Sequence, residues 1–195
     1  MKGKIIMNND FTEIINACKE CKKCPLHETR TNVVFGVGNP DAKILFVGEA
    51  PGENEDLQGE PFVGRAGKLL DLYLNGIGLD RKENIYIANI LKCRPPQNRD
   101  PKSEEAELCL PYLRDTVRVM KPKIIVCLGR ISAQIIISKD FRVTQEHGVF
   151  YSKGGILMMG TFHPAALLRD PRRKGDCFED FLKLQDKIRE LGIEI

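Results

Sequence analysis

Five cysteines have a spacing that is typical of metal-binding chemistry. Three of them lie within seven residues and two follow far along the chain: Cys18, Cys21, Cys24, Cys93 and Cys109. A CxxC turn brings two thiolates to one centre, so this set predicts either a four-thiolate zinc site or an iron–sulfur cluster. Pro25 follows the third cysteine, as in ferredoxin-type sequences, and favours iron–sulfur. The spacing alone leaves both metals open, and it does not say which of the five cysteines to omit.

The remaining cysteines have simpler interpretations. Cys127 lies inside an apolar run, where a thiol is usually a small core residue, and Cys177 begins a helical pattern. The total of seven is odd, and Met1 to Asp10 contains no long apolar run that would indicate secretion, so a disulfide framework is not expected. No segment approaches the roughly 20 apolar residues of a membrane span. We therefore expect a cytoplasmic protein without a membrane partner.

The segment Gly48–Gly64 is glycine-rich and follows an apolar run, but its charge is unsuitable for binding phosphate. Five carboxylates lie between Glu49 and Glu60, and no Gly-Lys-Ser/Thr sequence follows. A neutral ligand such as a nucleobase suits the segment better. The alternatives are solvated acids around a tight turn and a divalent-metal site, for which the spacing is not diagnostic.

Three single residues carry groups that a planar ligand needs. Phe62 can stack on a ring, Asn89 offers both a donor and an acceptor to the edge of a pyrimidine, and His163 can hydrogen-bond an anionic leaving group. Each also has an ordinary structural interpretation. Phe62 can pack beneath its loop, Asn89 can be a turn residue, and His163 can be a structural histidine.

A short segment after His163 combines apolar and basic side chains. The segment contains two leucines and four basic residues against one aspartate: Leu167, Leu168, Arg169, Asp170, Arg172, Arg173 and Lys174. An apolar tip beside phosphate-binding arginines is the composition of a wedge that enters a base stack and displaces a nucleotide. Taken alone, a short basic segment is more often a solvated surface, and the overall net charge of +3 is too small to indicate nucleic acid.

Four apolar runs rich in β-branched residues predict the strands that position these groups: Lys43–Gly48, Asn84–Ile90, Lys123–Gly129 and Ile156–Gly160. Four helical patterns follow them in turn: Ala66–Gly76, Pro101–Met120, Ile131–Ser138 and Cys177–Leu191. Asp100 is the expected N-cap of the second helix, and Pro111 should kink or interrupt it. The alternation predicts an α/β fold, a three-layer α/β/α sandwich with a central four-stranded parallel sheet.

Ligands of such sheets bind outside the carboxyl ends of the strands. Polar segments rich in glycine or proline follow three of the predicted strands: Gly48–Gly64, Asn89–Asp100 and Thr161–Asp176. They should converge on one edge of the sheet and form a single site. The length fits one domain, 1–195, with a cluster-binding segment at about residues 12–30.

Together these features resemble the family 4 enzymes of the uracil-DNA glycosylase superfamily, which carry a [4Fe-4S] cluster. The resemblance extends from about Cys21 to the C-terminal helix. It rests on ordered motifs: Cys21-x2-Cys24, Gly48-Glu49-Ala50-Pro51-Gly52, Phe62, Asn89, Lys92-Cys93-Arg94-Pro95-Pro96, Cys109 and His163-Pro164-Ala165.

The resemblance implies a DNA-repair glycosylase with a largely structural cluster. The implied ligands are Cys21, Cys24, Cys93 and Cys109, which leaves Cys18 as an extra thiol. A flipped uracil would stack on Phe62, pair with Asn89 and contact the main chain of Gly48, Glu49 and Ala50. His163 would stabilise the uracil anion as the glycosidic bond breaks. Leu167, or alternatively Leu168, would fill the vacated stack, and Arg169, Arg172 and Arg173 would bind the backbone.

Two positions depart from the better-known family 1 enzymes. Ala50 stands where those enzymes have an aspartate that helps the hydrolytic water, and Gly52 stands where they have a tyrosine that blocks thymine. The helper of the water is therefore open between Glu49, which we take as the second catalytic residue, and Glu55. We hypothesise a dissociative reaction in which stabilisation of the leaving group dominates.

Three other functions compete with this interpretation. A non-catalytic iron–sulfur or zinc protein that binds nucleic acid keeps the cysteines and the basic segment, but gives no joint role to Phe62, Asn89 and His163. A family 5 glycosylase is the enzymatic rival, and a phosphate-binding hydrolase is weakened by the acidic loop. The expected partner is uracil-containing DNA. We also expect a monomer, with a sliding clamp as a further partner on functional grounds alone.

Overall fold

The computed structural model describes residues 9–195, with side chains from Phe11 onwards. Within these residues there are six strands: β1 (Val37–Gly38), β2 (Ile44–Gly48), β3 (Tyr86–Asn89), β4 (Ile124–Leu128), β5 (Phe150–Lys153) and β6 (Ile156–Thr161). They form one mixed sheet in the order β1-β3-β2-β4-β6-β5. The four inner strands are mutually parallel, and the two edge strands run antiparallel to their neighbours.

The inner strands are the four that the apolar runs predict. Every residue of β2, β3 and β4 is buried, as expected for strands covered by helices on both faces. Neither edge strand was predicted from the sequence. β1 has only two residues, and β5 is half-buried or exposed along its length, so neither shows a continuous apolar run.

Eight α-helices flank the sheet in the described part of the chain: α1 (Asn9–Lys19), α2 (Glu53–Gln58), α3 (Arg65–Gly76), α4 (Ser103–Met120), α5 (Arg130–Ile136), α6 (Val143–Glu146), α7 (Pro164–Arg169) and α8 (Lys174–Glu190). Alternate residues of β2 point to opposite faces. Ile44 and Phe46 pack with α3, α7 and α8, whereas Leu45 and Val47 pack with α1, α4 and α5. Two cores on the two faces of one sheet make the three-layer α/β/α arrangement, as predicted.

The start of α4 differs from its prediction. Its first residue is Ser103, because the Glu105 carboxylate accepts the Lys102 backbone N–H at 3.0 Å and binds Arg99 through both oxygens. Asp100 is not the N-cap and instead pairs with Arg130 at 2.9 Å. The helix also continues through Pro111 without interruption.

The carboxyl ends of β2, β3, β4 and β6 meet at one edge of the sheet because these strands are parallel. The three polar segments flagged in the sequence leave the sheet at that edge. None of the helices formed by residues 9–195 is long and apolar enough to cross a membrane.

Candidate active site

A cleft of about 520 Å³ opens at this edge of the sheet. All four parallel strands contribute to its wall through the segments that follow them. Its lining includes the predicted residues Glu49, Ala50, Phe62, Asn89, His163 and Arg169. The structure therefore brings the predicted ligand-binding groups into one cleft.

Asn89, the last residue of β3, lies in the cleft wall and is 2% exposed. Its Oδ1 is the single buried side-chain oxygen or nitrogen among the described residues that has no hydrogen-bond partner. A buried acceptor without a donor costs about 1–3 kcal/mol, so such an atom points to a missing donor. A Cβ on the facing Gly48 would lie 2.3 Å from this oxygen and 2.6 Å from the Phe62 ring. Gly48 therefore keeps open the space between the two side chains.

Phe62 is held in an uncommon backbone conformation, with φ of 56°. Arg81 donates to the carbonyl oxygens of Pro61 and Phe62 at 3.1 and 2.9 Å, and Asp71 holds the guanidinium in turn. Helix α3 passes so close that a Cβ on Gly67 would lie 1.7 Å from the Phe62 carbonyl oxygen. These contacts overcome the strain and fix the ring beside the cleft.

His163 precedes α7 and caps its first turn. Its Nδ1 accepts the Ala165 backbone N–H at 3.2 Å, so in the neutral ring the proton lies on Nε2. Burial, together with the nearby Arg169, lowers the pKa of His163 to about 4, against an opposing effect of Glu55. The ring centroid lies 5.6 Å from that of Phe62. At neutral pH the cleft thus contains an uncharged N–H donor beside an aromatic face.

The two glutamates left open by the sequence have different environments. The Glu55 carboxylate accepts backbone N–H groups of Gly52, Val63 and Gly64 at 3.0–3.1 Å, and so ties the two ends of its loop together. Glu49 makes no hydrogen bond through its carboxylate to a described residue. Burial and the neighbouring Asp100 raise the pKa of Glu49 to about 7. Glu49 is therefore the one whose carboxylate is free to bind a ligand or a water molecule.

The two leucines of the predicted wedge differ in burial. Leu167 is 1% exposed and packs in the core between α7 and the sheet. In this conformation its side chain is not accessible to DNA, and its role as the wedge stays a prediction. Leu168, one position further along the helix, is partly exposed. It is the leucine of the pair that a ligand outside the protein can reach.

The predicted arginines also differ from one another. Arg169 is exposed at the end of α7 and lines the cleft. Arg172 binds both oxygens of Asp170, and Arg173 pairs with Asp176 at 3.0 Å, so each has an intramolecular counter-charge. Both arginines remain at the surface, but Arg169 alone of the three reaches the cleft.

Arg130, the first residue of α5, lines the cleft and was not predicted. Arg99 and Asp100 of the segment after β3 also line it and were not predicted as site residues. A signal for Arg130 was present, because it follows Gly129 directly at the carboxyl end of the third predicted strand. The predicted site included no residues after this strand, because no long glycine- or proline-rich segment follows it.

A second, smaller cavity lies between α1, α4 and the segment after β3. It is lined by the five cysteines of the predicted metal site, Cys18, Cys21, Cys24, Cys93 and Cys109. Cys18 is 1% exposed and packs among apolar side chains of the core, where burial raises its thiol pKa to about 12. Cys127 lies in β4 and Cys177 in α8, away from this cavity, as their sequence contexts indicated.

Positively polarised groups surround the cysteine cavity. Arg30 donates to Cys93 Sγ at 3.2 Å, and the Lys92 backbone N–H donates to Cys109 Sγ at 3.3 Å. All seven cysteines are free thiols. Across residues 9–195 no three potential ligands converge closely enough to hold a single metal ion. The predicted donor set is all-sulfur.

Comparison with known proteins gives a consistent result. The family model described as "Uracil DNA glycosylase superfamily" matches residues 35–184. Proteins named "Type-4 uracil-DNA glycosylase" from Archaeoglobus fulgidus and Sulfurisphaera tokodaii are 47% and 48% identical, covering 88% and 89% of this chain and 90% and 80% of their own. One from Thermotoga maritima is 46% identical, covering 94% of this chain and 97% of its own. The chain therefore belongs to the uracil-DNA glycosylase superfamily and, within it, to the type 4 family.

Proposed function

We propose that this protein excises uracil from DNA by hydrolysing the N-glycosidic bond and leaving an abasic site. The observation that carries the proposal is the unpartnered Oδ1 of Asn89 beside Phe62 and His163. Uracil presents a donor, N3–H, between two carbonyl oxygens. Cytosine presents an acceptor at the same position, so the Asn89 oxygen would face a second acceptor. This mismatch should discriminate strongly against cytosine.

The cleft suits a base that has been flipped out of the duplex. Phe62 provides the face on which the ring stacks, and the missing side chain at Gly48 provides the room. Glu49 and Ala50 lie in the same wall, and their backbone N–H groups are assigned to the base carbonyls.

Departure of the base leaves negative charge on uracil and positive charge on the sugar. His163 donates its Nε2–H to the developing anion, and its neutral ring suits this role because a donor that is already oriented needs no proton transfer. Its lowered pKa keeps the ring neutral at physiological pH.

We assign to Glu49 the role of orienting the hydrolytic water. Its carboxylate has no structural bond to give up, and a pKa of about 7 places the proton affinity of the group near the working pH. Ala50 offers no polar side chain for this purpose. The reaction then depends chiefly on His163, with Glu49 orienting the water that reaches the sugar cation.

Binding of DNA is assigned to the outer rim of the cleft. Leu168 replaces the flipped base in the stack, and Arg169 contacts a nearby phosphate, with Arg172 and Arg173 further out on the surface. Arg99 and Arg130 also line the rim, where they pair with Glu105 and Asp100. We further propose that the protein acts as a monomer. A sliding clamp stays a predicted partner without a binding motif.

The four cysteines Cys21, Cys24, Cys93 and Cys109 are proposed to hold a [4Fe-4S] cluster. The all-sulfur donor set fits the group. When bound, the cluster supplies a covalent tie between the N-terminal segment and the loop that follows β3.

The direct test uses a labelled oligonucleotide with one uracil, followed by alkali to cut abasic sites, with cytosine and thymine oligonucleotides as controls. We expect cleavage that depends on uracil and is lost in Asn89→Ala and His163→Ala. Asn75→Ala, an exposed asparagine at the far end of α3, is the matched control and should retain full activity. Folded protein that leaves the uracil strand intact contradicts the proposal.

A further inference from the structure

Lys92 is a buried cation that the proposed reaction does not use. Its side chain is 1% exposed, and its ammonium donates to the Phe35 carbonyl oxygen at 2.9 Å. No Asp or Glu of the described residues forms a salt bridge with it. Burial lowers the pKa of Lys92, whereas the thiols of Cys109 and Cys18, the groups of opposite potential charge that face it, act to raise it. A buried charge without a counter-charge strongly destabilises a fold. The surroundings of Lys92 therefore lack a negative charge.

Arg30 approaches the same cavity from the N-terminal segment. Its Nη1 donates to Cys93 Sγ at 3.2 Å and to the Cys21 carbonyl oxygen at 2.9 Å, and its Nη2 donates to the Lys19 carbonyl oxygen at 3.0 Å. The guanidinium is thus anchored on the segments that carry two of the assigned ligands. Both residues line the cysteine cavity.

We propose that Lys92 and Arg30 are the resident counter-charges of the four-thiolate cluster, so that the cluster and the buried lysine stabilise each other. This inference rests on the proposed cofactor. A cluster held by four thiolates is anionic, and reduction makes it more so. Nearby cations and N–H···S hydrogen bonds favour the reduced form and raise the reduction potential. A chain without the cluster keeps the buried lysine but loses its counter-charge.

The first test compares the cluster midpoint potential of Lys92→Met with that of Lys153→Met, by redox titration followed with electron paramagnetic resonance. Methionine keeps the length of the lysine and removes its charge. Lys153 is an exposed lysine on the β5 edge of the sheet, away from the cysteines. We expect a lower potential in Lys92→Met and an unchanged one in Lys153→Met. Equal potentials in wild type and Lys92→Met would overturn the inference.

The second test separates electrostatic support from an ordinary structural role. Lys92→Met should lower the unfolding temperature of protein that contains the cluster and raise that of the full chain from which the cluster has been removed. A lysine that only supports the Phe35 carbonyl would lower both temperatures, and that result would overturn the inference. Arg30→Lys, which retains the charge, should preserve the potential better than Arg30→Gln.

A separate measurement, of iron and sulfide content, tests the cofactor assignment itself. Wild-type protein purified and reconstituted without oxygen should contain iron and acid-labile sulfide in equal amounts. If it contains neither, or takes up zinc instead, the cofactor proposal fails and this inference fails with it. If iron and sulfide are present and the potentials do not differ, this inference alone fails.

Discussion

The cleft and the cysteine cavity are both incomplete without a ligand, but they lack opposite things. In the cleft, a buried acceptor on Asn89 lacks a donor, and the surroundings are wide, mixed in polarity and open. In the cysteine cavity, a buried cation on Lys92 lacks an anion, and the walls are mostly apolar. The first arrangement suits a neutral, exchangeable base, and the second suits a resident anionic group. Changes in the cleft should therefore affect catalysis, and changes in the cavity should affect stability.

The largest effect is expected when an assigned cluster ligand is removed. Cys24→Ala should lose the cluster and about 4 kcal/mol or more of unfolding free energy, since loss of a metal centre is among the few changes that exceed this value. Cys18→Ala is the matched control, because Cys18 lines the same cavity but lies outside the assigned set. Iron content and thermal unfolding distinguish them. Loss of iron in Cys18→Ala instead would reassign the ligands.

His163→Ala should have the opposite profile. We expect kcat to fall by about 10²–10³, the usual cost of removing one donor to a developing anion. Iron content should stay at the wild-type level, and unfolding free energy should fall only by the roughly 0.5–2 kcal/mol that loss of the α7 cap costs, so that the loss of kcat is catalytic. Single-turnover excision of uracil measures the chemical step. A fall of less than tenfold would remove His163 from the centre of the mechanism.

Gly48→Ala should weaken binding of the base without disturbing the cysteine cavity. The added methyl would meet Asn89 Oδ1 and the Phe62 ring, so KM should rise, and uracil excision should fall by about tenfold or more. Gly175→Ala in α8 is the matched control, since a Cβ there meets nothing within 4 Å. Similar kinetics in both variants would mean that the base does not enter between these side chains.

Glu49 should control the pH profile. Excision should fall as the pH drops below about 7, where the carboxylate takes up a proton. His163, with a pKa near 4, should contribute no loss in that range. Glu49→Gln should excise uracil more slowly than wild type above pH 7, and its rate should no longer fall as the pH drops below about 7. If the rate of Glu49→Gln still falls below pH 7, the titrating group is another residue.

The raised pKa of Glu49 also predicts how the stability of the fold depends on pH. The pKa of Glu49 is higher in the folded than in the unfolded chain, so its contribution to stability is present at low pH and is lost as the pH rises through about 7. Glu49→Gln should therefore unfold at a higher temperature than wild type at pH 8. At pH 5 the difference should shrink. Thermal unfolding at the two pH values measures both.

The smallest effect is expected at the rim. Arg169→Gln should weaken DNA binding and reduce the slope of log K against log salt by about 1, the value for one lost phosphate contact. Arg172→Gln should change the slope less, because Asp170 already binds its guanidinium. Equal changes in both variants would mean that DNA displaces Asp170.

Much of this molecule could be predicted from local patterns. Strands β2, β3, β4 and β6 are continuous apolar runs because both faces of the sheet are covered. The edge strands β1 and β5 were missed because they are short or half-exposed. The predicted start of α4 was wrong, because the contacts of Glu105 with Lys102 and Arg99 begin the helix at Ser103. The Asp100-Pro101 pattern did not reveal these contacts.

The amino-acid sequence by itself determined the α/β class, the set of five cysteines and the ordered motifs around Phe62, Asn89 and His163. These depend on residue type and on the order of segments, which a parallel sheet converts directly into proximity at one edge. Only the tertiary structure decided which leucine is buried, which glutamate is free and where Lys92 lies. Those outcomes depend on the direction of single side chains and on contacts between residues far apart in the chain, such as Lys92 with Phe35 or Arg30 with Cys93.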